Sequence, residues 1–107
     1  MLKWYKNLYV GNTAKKKEKT LRRKISCGIG TFNVFAITLA VNEQNHLEIY
    51  PAAQLLQKTL RRRCPLIVGI AVGYEEAVEI VEQIVKEVWE KTGTVSIRSW
   101  ILENQEG

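Results

Sequence analysis

Residues 65–93 constrain the fold of this 107-residue chain more than any other segment. Residues 66–72, Leu-Ile-Val-Gly-Ile-Ala-Val, form an unbroken apolar run between Pro65 and Gly73. Such a run is typical of a strand covered on both faces, as in a parallel sheet. Residues 74–92 then place apolar side chains at three- and four-residue steps, which predicts an amphipathic helix that ends at Gly93.

The remaining segments predict further strands and helices on both sides of this unit. Before this unit we predict a strand over 4–10 closed by Gly11, and then a helix that is capped by Thr13 and runs to Cys27 before Gly28. A strand over 31–41, a polar loop over 42–46, a strand over 47–50 and a helix over 51–63 opened by Pro51 follow. After the unit we predict an edge strand over 94–102 and a frayed tail over 103–107. The two strands around the polar loop suggest a hairpin.

The resulting order is β-α-β-β-α-β-α-β, which predicts a small α/β domain bordering on α+β. We expect a two-layer sandwich with a mixed sheet of about four to five strands and two to three helices. A ferredoxin-like βαββαβ core with an added αβ unit is one arrangement consistent with this order. Residues 1–28 have only a thin apolar stripe, so they form either a docked basic helix or a partly mobile basic arm.

Length and composition limit the class of protein. Residues 1–107 make one domain, because two domains would each be too small to bury a stable core. Apolar residues at 46% and charged residues at 25% are ordinary globular values. The absence of Asp excludes aspartyl-phosphate chemistry and the usual Asp-centred magnesium sites. No apolar run approaches the ~20 residues of a membrane helix, and residues 1–6 have no signal-peptide pattern. The sequence therefore predicts a cytoplasmic protein with no membrane contact.

The residues that usually carry catalysis or metal binding form no familiar set. Cys27, Cys64 and the single histidine, His46, do not match the spacing of a structural zinc site or of a cysteine nucleophile with its base. Two cysteines in such a chain predict free thiols. Gly73 lies at a strand-to-helix turn, but Glu75 and Glu76 would repel a phosphate there. We therefore expect no catalytic residues, no metal and no cofactor.

Charge is divided unevenly along the chain. Residues 1–63 hold 13 Lys and Arg against three Glu, a net charge of +10, whereas residues 64–107 hold three against eight, a net charge of −5. Such asymmetry predicts a binding face or two surfaces that attract each other. The candidate residues for binding nucleic acid or an acidic partner are Lys15, Lys16, Lys17, Lys19, Arg22, Arg23, Lys24, Lys58, Arg61 and Arg62.

Three classes of function follow from these patterns. The charge split and the edge strand favour a non-catalytic protein-interaction or self-association module, in which the acidic helix of one copy docks on the basic segment of another. The alternative is non-specific binding of RNA or DNA through the basic residues. An enzyme is the least favoured class, because no nucleophile–base pair or metal set is visible.

Overall fold

Within residues 2–40 and 46–106, the part that the computed structural model describes, the chain forms four strands and four α-helices. In chain order these are β1 (Trp4–Val10), α1 (Glu18–Cys27), β2 (Val34–Leu39), β3 (Leu47–Pro51), α2 (Lys58–Arg63), β4 (Ile67–Val72), α3 (Tyr74–Thr92) and α4 (Ile97–Glu106). Two 3₁₀ helices, Ala14–Lys17 and Ala52–Leu56, precede α1 and α2. The predicted small α/β class with a mixed sheet is confirmed.

The sheet has the order β1-β4-β2-β3. Strand β4 runs parallel to β1 and antiparallel to β2, and β3 is antiparallel to β2 as the predicted hairpin requires. A ferredoxin-like core needs two split βαβ units, in each of which two parallel strands have another strand between them. The segment β3-α2-β4 is one such unit, with β2 between its strands. The segment β1-α1-β2 is not, because β1 and β2 run in opposite directions. The ferredoxin-like arrangement is therefore wrong.

Helices cover both faces of the sheet. One face packs against α3 and α4 around Tyr5, Val68 and Ile84, which are almost completely buried. The other face packs against α1 and the segment 52–63 around Ile25, Ile67 and other buried side chains. The domain thus has three layers where two were predicted. Strand β4 belongs to the middle layer and is covered by helices on both faces, which explains its unbroken apolar run.

Helix α3 begins and ends where the sequence predicts. Gly73 adopts φ +90° at the turn from β4, and Gly93 adopts the left-handed conformation that ends the helix. Gly69 in β4 permits close packing, since a Cβ there would lie 3.1 Å from both the Tyr9 carbonyl and the Ile80 side chain. The helix therefore packs closely onto the centre of the sheet.

The predicted edge strand over 94–102 is wrong, because these residues begin α4. Ile97 and Ile101 are both buried, and their spacing of four residues fits one face of a helix as well as one face of a strand. Residues 103–106, predicted to fray, continue α4. The Gln105 side chain accepts the Lys6 N–H at 2.8 Å and donates to the Trp4 carbonyl at 3.2 Å, so α4 satisfies backbone groups at the irregular start of β1.

The helix predicted over 51–63 is divided into two parts. Pro51 ends β3, and Gln57 has extended backbone with ψ 126° between the 3₁₀ helix and α2. The break leaves Leu60 at the surface while Leu55 stays buried. Arg61 of α2 contacts the end of α1.

The N-terminal segment contains β1 and then α1, which packs against the sheet. Leu21 and Ile25 bury one side of α1, and Gly28 ends it in the left-handed conformation. The Thr13 hydroxyl does not cap the 3₁₀ helix that follows it. The predicted polar loop over 42–46 lies outside the described residues except for His46, which is exposed.

Candidate nucleic-acid interface

The two basic segments of the sequence meet on one face of the sheet. We call this surface the basic layer; it comprises residues 14–27 and 52–63, with eleven Lys and Arg and one acid, Glu18. Eight of its cationic side chains are exposed: Lys15, Lys16, Lys17, Lys19, Arg23, Lys58, Arg62 and Arg63. The structure therefore brings the candidate residues into one layer, although up to 47 positions separate them in sequence.

Arg61 connects the two segments. Its guanidinium donates to the Ile25 carbonyl at 2.7 Å and to the Leu55 carbonyl at 3.2 Å, and it also contacts the Ser26 carbonyl. The last carbonyls of a helix lack intrahelical partners and carry partial negative charge, so an arginine there stabilises the helix end. Arg61 thus has a structural role, and its charge is less available to a ligand than the sequence predicted.

Arg22 is also partly engaged within the fold. It lies 3.4 Å from the Glu18 carboxylate and 5.0 Å from the centre of the Trp4 ring. Among the described residues this is the single ion pair within 4.0 Å, so the other cations of the basic layer have no carboxylate partner in that part of the chain. Their charges are consequently available to an anionic partner.

The exposed side of α1 presents the cations in a row. Lys19 and Arg23 are four residues apart, so they lie on one helical face, opposite Leu21 and Ile25. The preceding 3₁₀ helix adds three lysines, which border a shallow recess of about 300 Å³ together with Lys19, Thr20 and the acid Glu18. Five exposed cations thus lie close together on the 3₁₀ helix and the first half of α1.

The opposite face of the sheet carries the acidic charge. Helices α3 and α4 hold eight Glu against Lys86, Lys91 and Arg98, a net charge of −5. The pairs Glu82–Lys86 and Glu87–Lys91, each spaced four residues apart, are not formed within 4.0 Å in the described part of the chain. Glu87 instead accepts the Tyr9 hydroxyl at 3.0 Å. We call this surface the acidic layer.

Glu76 occupies the crevice at the carboxyl ends of β1 and β4. Its carboxylate accepts the Thr13 and Val72 N–H groups, each at 2.5 Å, and its side chain fills the space beside Gly11. Crevices at the ends of adjacent parallel strands are common ligand sites in α/β folds. Here the carboxylate takes two of the donors that an anion would need, so the crevice does not favour phosphate.

An apolar hollow of about 460 Å³ lies beneath α2, lined by Tyr50, Leu55, Leu60 and Cys64 among others. The Tyr50 hydroxyl donates to the Glu48 carboxylate, and this bond, with burial, raises the pKa of Tyr50 to about 12. Burial raises the pKa of the Cys64 thiol, although nearby Arg61 opposes the shift. The thiol is therefore protonated at neutral pH and is a poor nucleophile.

The Tyr50 pair predicts a loss of stability in alkali. Because the pKa of Tyr50 is above its ordinary value of 10.0 in the folded state, ionisation costs no stability below pH 10 and progressively more as pH rises to about 12. Denaturant midpoints at pH 9 and pH 11 should therefore differ less in Tyr50→Phe than in the natural chain. Tyr9, whose pKa burial also raises, keeps part of the alkaline loss in the variant. Equal losses in both proteins would contradict the assignment.

The other candidate reactive groups remain dispersed. Cys27 is exposed at the end of α1, Cys64 is half-buried beneath α2, and both thiols are free. Residues 2–40 and 46–106 contain no group of three His, Cys, Asp or Glu side chains arranged to hold a metal ion. The hydroxyl of Thr38 is buried without a hydrogen-bond partner, and it borders none of the hollows described above.

The sequence interpretation missed two functional details of the site. The role of Arg61 depends on contacts with Ile25 and Ser26, which lie 36 and 35 positions away in the sequence. No local pattern reveals such contacts. The role of Glu76 had a signal, because a glutamate at the third position of a helix commonly reaches back to the backbone before it.

Comparison with protein-family models, with curated proteins and with solved structures gives no match to this chain. In the part of the chain that the structure describes, no helix has both the length and the apolar composition that crossing a membrane requires. Any function must therefore be inferred from the geometry and charge of the domain itself.

Proposed function

We propose that the domain binds nucleic acid through the basic layer, without sequence specificity. The observation that carries this proposal is the joining of two basic segments on one face, with eight exposed cations and one ion pair among the described residues. Nucleic acid is the polyanion whose evenly spaced phosphates suit such a surface. The proposal places the protein in the cytoplasm, where free thiols stay reduced.

The arrangement suits contact with a phosphate backbone more than reading of bases. Lys15, Lys16 and Lys17 precede α1 on the 3₁₀ helix, and Lys19 and Arg23 continue the row. Lysines and arginines on an exposed surface contact phosphates and position the ligand, whereas sequence reading needs side chains that reach base edges. The sequence has no aromatic–basic motif of an RNA-binding sheet. We therefore expect similar affinity for different sequences.

Self-association of basic on acidic layers is the second candidate, supported by their opposite charges. The two layers lie on opposite faces of the sheet, so such a contact is head-to-tail rather than two-fold symmetric. Head-to-tail contacts that do not close produce open chains of molecules. This open geometry favours nucleic acid over a second copy of the chain as the partner of the basic layer.

The test is binding of the full chain to a mixed-sequence single-stranded RNA and to a DNA duplex at 50 and 200 mM salt. Contact with about 4–6 phosphates predicts a slope of log affinity against log salt of about −4 to −5 for the duplex. Affinity should then fall by about 10²–10³-fold over this range.

Particle size is measured in parallel by light scattering without nucleic acid. Growth of large particles at low salt that dissolve at 200 mM salt would favour the head-to-tail candidate. No binding to either nucleic acid at 50 mM salt would overturn the proposal, and an acidic protein would then be the partner to seek.

A further inference from the structure

An apolar stripe runs along one flank of α3, where Val81 and Val85 are half-buried against the core and Trp89 is exposed. Val81, Val85 and Trp89 follow one another at four-residue steps and, with Val95, line a groove of about 410 Å³. Trp89 is 58% exposed and Val95 is 51% exposed, whereas other apolar side chains of α3 such as Ile84 are buried. Large apolar side chains grouped on a surface indicate a contact with another molecule.

The spacing of the stripe is symmetric. Val81 and Trp89 are each four residues from Val85, so a two-fold axis beside Val85 places Val81 of one copy against Trp89 of the other. The same contact forms twice in an antiparallel pair of α3 helices, with the two Val85 side chains at its centre. A surface that complements itself in this way meets the requirement for a closed two-fold dimer.

The charges beside the stripe are complementary under the same axis. Glu82 and Lys86 lie one residue after Val81 and Val85, on one flank of the stripe, and both are exposed. In an antiparallel pair of helices the same flanks face each other, so Glu82 of one copy meets Lys86 of the other, twice. The two side chains are not paired with each other within one chain, which leaves both available.

We propose that α3 forms a two-fold homodimer through this stripe, and that the second copy of the chain covers Trp89. The contact is independent of nucleic-acid binding, because it lies in the acidic layer on the opposite face of the sheet. A single pair of helices buries less area than the standard interface of about 1,600 Å², so the dimer is weak. We expect a dissociation constant on the order of 10–100 µM.

The experiment is sedimentation equilibrium from 5 to 500 µM at 50 and 300 mM salt. The mass should rise with concentration from 12.3 kDa toward twice that value. The dimer should persist at 300 mM salt because apolar contact carries most of it. Trp89→Ala should weaken the dimer by at least about 10-fold, since exposed tryptophans are common hot spots of interfaces.

A charge-reversal set keeps the test independent of folding, because Glu82 and Lys86 are both exposed. Glu82→Lys and Lys86→Glu each place like charges across the axis twice, and each should weaken the dimer by about 10-fold. The double variant restores opposite charges and should recover affinity to within about threefold.

Three results would overturn the proposal. They are a mass of 12.3 kDa throughout the concentration range, a dimer that Trp89→Ala does not change, and a double variant as weak as the single ones. Larger particles that disappear at 300 mM salt would also overturn it, because they indicate head-to-tail association instead.

Discussion

Replacing Lys15, Lys16, Lys17 and Lys19 by glutamine should reduce nucleic-acid affinity at 50 mM salt by at least about 100-fold. Each lysine–phosphate contact releases about one counterion, so losing four contacts also reduces the salt slope by up to about four. All four side chains are exposed, so we expect the change in folding free energy to be small. Fluorescence anisotropy with a labelled duplex over a salt series measures both quantities.

The matched control removes the same number of charges outside the basic layer. Lys3, Lys6, Lys86 and Lys91 are exposed, and their replacement by glutamine changes the net charge by the same amount. We expect this control to lower affinity by less than about fivefold, since side chains outside the basic layer act on the phosphates only through screened long-range attraction. An equal loss in both variants would mean that net charge, and not the basic layer, determines binding.

Glu76→Ala should destabilise the domain by about 2–3 kcal/mol. The substitution removes two hydrogen bonds to a charged acceptor and leaves the part-buried Val72 N–H without its partner. The Glu76 carboxylate connects the start of the first 3₁₀ helix to the end of β4, and the substitution removes this connection. Urea unfolding followed by circular dichroism measures the change as a lower midpoint with an unchanged m-value.

Glu75→Ala is the control for this prediction. Glu75 is exposed in the same helical turn and gives the same change in charge near the helix N-terminus. We expect it to cost less than about 1 kcal/mol, so the difference between the variants isolates the two hydrogen bonds. In addition, Gly11→Ala should cost less in the Glu76→Ala background, because its Cβ would otherwise collide with the Glu76 side chain. Equal effects of Glu75→Ala and Glu76→Ala would exclude the bridging role.

The sequence predicts a helix or strand best where the residues that end it and the spacing of its apolar side chains indicate the same bounds. Helix α3 was predicted with its bounds, because Gly73 and Gly93 punctuate a long stripe of apolar residues. Helix α4 was missed because buried residues four apart, Ile97 and Ile101, satisfy the periods of both a strand and a helix. The short connection after Gly93 and packing against α3 determine its conformation, and neither is visible in a local pattern.

The candidate site was predictable as a set of residues but not as a surface. Counting charges identified the lysines and arginines, and the sheet then determined that α1 and α2 share a face. Arg61 could not be separated from its neighbours by sequence, because Arg62 and Arg63 have the same chemistry. Only the break at Gln57 directs Arg61 to the end of α1.

The sheet that separates the two charged layers also makes the domain a strong electric dipole. Net charges of +10 and −5 lie on its two sides, each about 10 Å from the sheet. The resulting moment is on the order of hundreds of debye, against about 3.5 D for one peptide unit. In the field of a polyanion this moment rotates the molecule before contact, so that most encounters begin with the basic layer forward. Capture would then be fast at low salt and limited by diffusion rather than by the search for an orientation.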